Sequence, residues 1–148
     1  MSAVRAFADQ CLASVSAKLK IAPGRLDAAG EALLGCVVDG ANVRVRVVAH
    51  DANGTLALLV PVGVLGGDGP EGFAAALLGA NFAGVGAQGL TFSRTPHDGT
   101  LYLGYALLVP GATYAGFEAA LARVISAGLA TRRRLAANPA TALPPTLE

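Results

Sequence analysis

The residue types that could carry chemistry are few in this chain and badly placed for it. Two histidines, His50 and His97, are each followed at once by an aspartate, and the only thiols are Cys11 and Cys36. A histidine beside a carboxylate can act as a general base where neighbouring groups cage and orient the ring. Both His-Asp pairs fall instead where hairpin turns are expected, and aspartate is a turn former in its own right. The cysteines stand in neither a CxxC nor any other metal-ligand spacing. They read as reduced, buried small hydrophobes. No catalytic residue and no metal site follow from these groups.

Gly84, Gly86 and Gly89 spell GxGxxG, but a dinucleotide fingerprint must follow a strand and open a helix. Here a helix is expected before the glycines and a strand after them, so their use is a tight helix exit and close backbone approach. Gly63, Gly66, Gly67 and Gly69 lack the lysine and hydroxyl residue of a phosphate loop. No nucleotide or other cofactor is expected. Arg132, Arg133 and Arg134 are joined by no second basic cluster, and the formal net charge is +1, which leaves no nucleic-acid footprint.

Composition narrows the class further. Hydrophobic residues make up 53% of the 148 positions and charged residues only 14%, which points to surface buried in a partner. A chain of this length forms one domain and can bury roughly 70% of its unfolded surface. Apolar runs such as 56–65 are broken by proline and glycine well short of the ~20 residues of a membrane span. Arg5 and Asp9 interrupt the N-terminal apolar residues, so no export signal is read there, and the expected address is the cytoplasm.

The elements that must position any site follow from periodicity. Val4, Phe7, Ala8, Cys11, Leu12, Val15 and Leu19 give the helical series of a first amphipathic helix, stopped by Pro23 and Gly24. Residues 32–38 are a short apolar segment readable as strand or helix. Val43, Val45 and Val47 alternate with Arg44 and Arg46 as in a half-covered strand, and Asn53-Gly54 turns the chain into a strand over 55–64. The three suggest an antiparallel meander. Pro70 and Glu71 open a helix to Phe82, strands follow over 90–94 and 100–109 around His97-Asp98-Gly99, and Tyr114, Phe117, Leu121, Val124, Ile125 and Leu129 mark a last helix. Residues 138–148, with three prolines, read as a disordered tail beyond a domain over 1–137.

Between Gly72 and Ser93 there is no charged side chain. Phe73, Ala76, Leu77 and Ala80 make one helical stripe, and Ala74, Leu78 and Phe82 a second. A helix apolar all round must be buried all round. A second copy is the simplest cover, since most soluble oligomers are symmetric homodimers; the core helix of a monomer is the alternative.

The run Leu77, Leu78, Ala80, Asn81, Phe82, Gly84, then Gly86 and Gly89, then Asp98-Gly99 and a strand ending at Pro110, resembles the Tir-chaperone (CesT-like) family of type III secretion effector chaperones. The resemblance implies an α+β fold of order α-β-β-β-α-β-β-α and a homodimer in the bacterial cytoplasm. It implies a binder and not an enzyme, one that holds the N-terminal, non-globular segment of a secreted effector, without ATP, for export in virulence. The secretion ATPase or export gate would be a further partner.

On the family's pattern, Leu77, Leu78, Asn81, Phe82, Leu90 and Phe92 would form the dimer interface, with internal core as the other reading of each. Candidate effector contacts are Phe7, Leu12, Val15, Val48 and Leu59, for which core packing is the alternative, favoured for the helix residues. Arg44 and Arg46 read as the wet side of a strand. Two other functions stay open: an adaptor binding a component of the secretion apparatus, and a small-ligand domain or enzyme, for which no convergent polar residues are found.

Overall fold

Val4, Ala8, Cys11, Leu12 and Val15 bury one face of α1 (Ala3–Leu19) against the sheet. The computed structural model describes residues 2–22, 24–64, 89–95 and 99–137. At the start of α1 the Ser2 hydroxyl accepts the Arg5 N–H, satisfying one orphan donor of the first turn. The helix ends before Pro23 and Gly24 are reached. Lys20 turns left-handed at φ 57°, its N–H bonding the Ala17 carbonyl and the Ile21 N–H bonding that of Ser16 at 3.0 Å. That pair of bonds closes the last turn by itself, so the stop lies at Lys20 and needs no proline.

Five strands follow: β1 (Glu31–Val38), β2 (Ala41–His50), β3 (Thr55–Val64), β4 (Leu90–Arg94) and β5 (Thr100–Leu108). They form one antiparallel sheet of order β1-β2-β3-β5-β4. The ambiguous segment at 32–38 is therefore strand. Asp39 and Gly40, at φ 51° and 79°, make a two-residue hairpin into β2, an Asp-Gly signal the sequence reading passed over. At the next turn a short 3-10 segment, Asp51–Asn53, precedes Gly54 at φ 65°. Pro61 lies beyond the last β2 partner of β3, which is Leu59, so its missing N–H breaks no bond of that ladder.

Strict alternation puts Leu34, Val43, Val45, Val47, Leu56, Leu58, Val60, Leu101 and Leu103 on the inner face, all at most 1% exposed. α1 covers β2 and β3, and α2 (Tyr114–Ala137) crosses β3 and β5. Two layers result, with both described helices on one side. Phe117 is the largest side chain fully enclosed between them. Gly128 lets α2 approach the sheet closely, because a Cβ there would lie 2.7 Å from Cγ1 of Val60. α2 also runs further than its apolar stripe predicts, through Arg132, whose Nη1 donates to the Asn42 carbonyl at 3.3 Å. That arginine docks on the start of β2.

The expected central helix over 70–82, the His97-Asp98 turn and the tail at 138–148 lie outside the described residues.

The N-terminus of α1 carries an acid-sensitive tie. The Ser2 hydroxyl donates to Asp51 and holds its carboxyl below the ordinary carboxylate value, helped by Arg5 Nε at 3.3 Å. Folding depresses this pKa, so its contribution is complete above the unfolded-state value and is lost as pH falls through the folded one. Amide protection factors in the first turn of α1 and at residues 27–28, corrected for the intrinsic pH dependence of exchange, should therefore fall as the carboxylate protonates. Asp51→Asn should show the lower protection already at neutral pH and flatten the pH dependence; an unchanged profile in that variant would remove the assignment.

Candidate protein-binding surface

An open feature of the described residues is the outer edge of β1, one of the sheet's two margins. The Ala49 N–H donates to the Gly30 carbonyl at 2.8 Å, so Ala32, Leu34, Cys36 and Val38, alternating from Gly30, turn their backbone groups toward β2. Glu31, Leu33, Gly35 and Val37 turn theirs away from the sheet. Asp27 takes up the first of these four: its N–H donates to the Glu31 carbonyl at 2.8 Å and its carboxylate accepts the Glu31 N–H at 3.0 Å. Gly24 lies near the second without bonding it, a Cβ there falling in ordinary contact, 3.9 Å, with the Leu33 carbonyl oxygen.

This flanking segment is pinned by α1. Arg5 donates to the carbonyls of Asp27 and Ala28, Asp9 accepts the Leu26 N–H at 2.9 Å, and Ser16 accepts the Gly24 N–H. Beyond it no described residue covers the edge. A Cβ at Gly35 would meet nothing within 4 Å, Val37 is 68% exposed, and no described residue bonds the outward groups of either. Natural edge strands are usually blunted by charge, proline or a bulge. Residues 32–38 read ALLGCVV and carry none of these.

Each side of the edge has a cleft. On the helix side a space of about 300 Å³ opens between Val38, Asp39 and the α2 residues Ala122, Ile125, Ser126, Leu129 and Arg133. On the outer side a more polar hollow of about 530 Å³ is lined by Arg25, Asp27, Glu31, Leu33, Arg46 and Tyr102, with Arg46 paired to Glu31. The outer sheet face continues through Leu33 and Leu108, each 63% exposed. Such an arrangement suits an extended peptide: backbone bonds along the edge, with alternate side chains taken by the clefts.

The expected effector contacts divide between face and core. Val48 and Leu59 lie half-buried on the outer sheet face, Leu59 folding over Gly104, where a Cβ would come within 2.5 Å of its Cδ2. Phe7 is half-buried against the core. Leu12 and Val15 are 0% and 3% exposed and belong to the core beneath α1, the alternative already favoured for helix residues. Leu90 is likewise enclosed within this chain, at 1%, and Phe92 packs half-buried beside it. Leu77, Leu78, Asn81 and Phe82 lie outside the described residues. The free edge at Gly35 and Val37 went unnoticed in the sequence because strand order is invisible there; the uncharged run at 32–38 was its only signal.

Among the described residues no three His, Cys, Asp or Glu side chains gather as a metal site. Both cysteines are free thiols, and burial pushes the Cys11 pKa up to about 11 and raises that of Cys36. His50 sits exposed at the end of β2. No described helix is long and apolar enough to cross a membrane.

Residues 10–132 match the model of the Tir chaperone protein (CesT) family, and the chain belongs to that family. Solved structures share the fold at low sequence identity. The ExsC-ExsE complex matches with a TM-score of 0.70 at 22% identity, covering 90% of this chain and 96% of that one. The HopA1-SchA chaperone-effector complex matches at 0.64 and 14%, covering 90% and 98%. The Yersinia pestis type III secretion chaperone SycH, in complex with a fragment of YscM2, matches at 0.56 and 12%, covering 83% and 98%. No curated protein matches in sequence.

Proposed function

We propose that this chain is a bacterial, cytoplasmic type III secretion chaperone that, as a homodimer, binds the N-terminal segment of a secreted effector and keeps it non-globular and competent for export. It is a binder without catalysis, and it works without ATP. Membership of the CesT family and the fold shared with chaperones solved in complexes support the reading. The observation that carries it is the bare edge of β1 at Gly35 and Val37, with an apolar cleft beside it. An effector segment adds a strand there, and Val48, Leu59 and Phe7 extend the contact over the outer face and α1. Self-association runs through Leu77, Leu78, Asn81 and Phe82, with Phe92 at its margin and Leu90 behind it.

Co-expression with the protein encoded beside it tests the reading, followed by size-exclusion chromatography with light scattering and limited proteolysis. The expected product is a chaperone dimer protecting one N-terminal stretch of its partner. Protection of a folded apparatus component instead would convert the proposal to an adaptor, and a monomer protecting nothing would overturn it.

A further inference from the structure

The cleft on the helix side of the sheet has an apolar floor and a rim of small residues. Ile125 and Leu129 of α2, 9% and 6% exposed, form the floor, and Val38 closes it on the sheet side. Ala122 and Ser126 stand exposed along the helix rim and are small enough for another chain segment to lie close to them. Ala122, Ile125, Ser126, Leu129 and Arg133 follow one another at helical spacing, so the cleft is a groove running along α2 toward its C-terminal end. The rise from Ala122 to Arg133 makes it about 16 Å long.

Where the groove leads decides what fills it. Arg132 bonds the Asn42 carbonyl and Arg133 lines the groove itself, which fixes the end of α2 beside the hairpin between β1 and β2. Residues 138–148 continue from there and lie outside the described residues. They read NPATALPPTLE, uncharged as far as Leu147, with Leu143 and Leu147 as their large apolar side chains. Asn138-Pro139 directly after a helix is a turn signal. An extended, proline-rich chain advances about 3.1 Å per residue, against about 1.5 Å in a helix. Folding back from Pro139, such a chain carries Leu143 about 12 Å along α2, level with Leu129, and Leu147 about 25 Å, just past Ala122.

Two features select this segment over a separate molecule. Its tether keeps it at an effective concentration in the millimolar range, which a free partner has to exceed. Its backbone also suits the groove. The carbonyls lining a helix are spent on the helix's own bonds, and Pro139, Pro144 and Pro145 bring no N–H to leave unmatched there.

We infer that residues 139–147 fold back along α2 of their own chain and fill this groove, with Leu143 seated beside Leu129 and Leu147 just past Ala122. On the function proposed above, on which this consequence alone rests, a client side chain entering the groove has to displace the tail.

The test uses the full chain without client. Isoleucine occurs only at Ile21 and Ile125, so methyl NMR of a chain labelled at isoleucine Cδ1 reads the groove floor against an internal control just beyond α1. Leu143→Asp should move the Ile125 signal and leave Ile21 and the far-UV circular dichroism unchanged. The 15N heteronuclear NOE at Ala142 should match the values in α2 in the wild type and drop to those of a free chain end in the variant. An Ile125 signal indifferent to Leu143→Asp would overturn the inference, as would free-chain NOE values in the wild type. Refolding labelled wild-type chains with an excess of unlabelled Leu143→Asp chains separates a chain's own tail from a neighbour's. The Ile125 signal should stay single and unshifted; a second signal would place the tail on another copy, against the inference. None of these readings involves a client, so the tail's position and the client reading stand or fall separately.

Discussion

Gly35→Pro is expected to weaken capture of an extended client while leaving the protein folded. The Gly35 N–H points away from β2, so proline removes no bond of the sheet's own ladder. A side chain at this position enters space where a Cβ touches nothing within 4 Å. A client strand would lose one donor, worth about 0.5–1.5 kcal/mol, and would be held off its neighbouring bonds by the ring. Affinity should fall roughly tenfold or more, while far-UV circular dichroism and the denaturation midpoint stay at wild-type values. Undiminished capture would place the client elsewhere, on the outer face around Leu59 and Val48. Val37→Lys should act in the same direction by putting a charge on the edge.

Phe117→Ala should produce the largest loss of stability. Phe117 is 0% exposed between α2 and the sheet, stacked beside Tyr114 at 6.3 Å between ring centres, and no larger side chain is fully buried in the described core. Truncating such a residue costs about 3–5 kcal/mol, a large part of the roughly 5–15 kcal/mol that holds a domain together. A urea titration should show a midpoint far below wild type with an unchanged slope. A loss under about 1 kcal/mol would mean that the site collapses to fill the cavity.

The two variants separate what holds the fold from what the fold leaves open, and the sequence speaks unequally of them. The alternation of Val43, Val45 and Val47 with Arg44 and Arg46 survives intact as inner and outer faces of β2. The β3 and β4 boundaries agree residue for residue with the apolar runs and their glycine turns, because those signals act within a few residues. The stop of α1 was misplaced: the deciding event is Lys20 adopting a left-handed conformation, which Pro23 and Gly24 do not announce. Leu12 and Val15 could not be told from surface anchors by spacing, since an amphipathic stripe looks the same whether it packs inward or meets a partner.

What the sequence by itself determined is most of the described elements and the face each strand turns inward, which rest on local periodicity and turn chemistry, and, through a resemblance of the run 77–110, the family to which the chain belongs. Only the tertiary structure decided where the protein is open. The order β1-β2-β3-β5-β4 makes β1 and β4 the two margins of the sheet, and Arg5, Asp9 and Ser16 pin residues 24–28 along half of the β1 margin. Gly35 and Val37 find no backbone partner among the described residues for a reason no local pattern carries: their backbone groups point away from β2, and the pinned segment at 24–28 lies along Glu31 and Leu33.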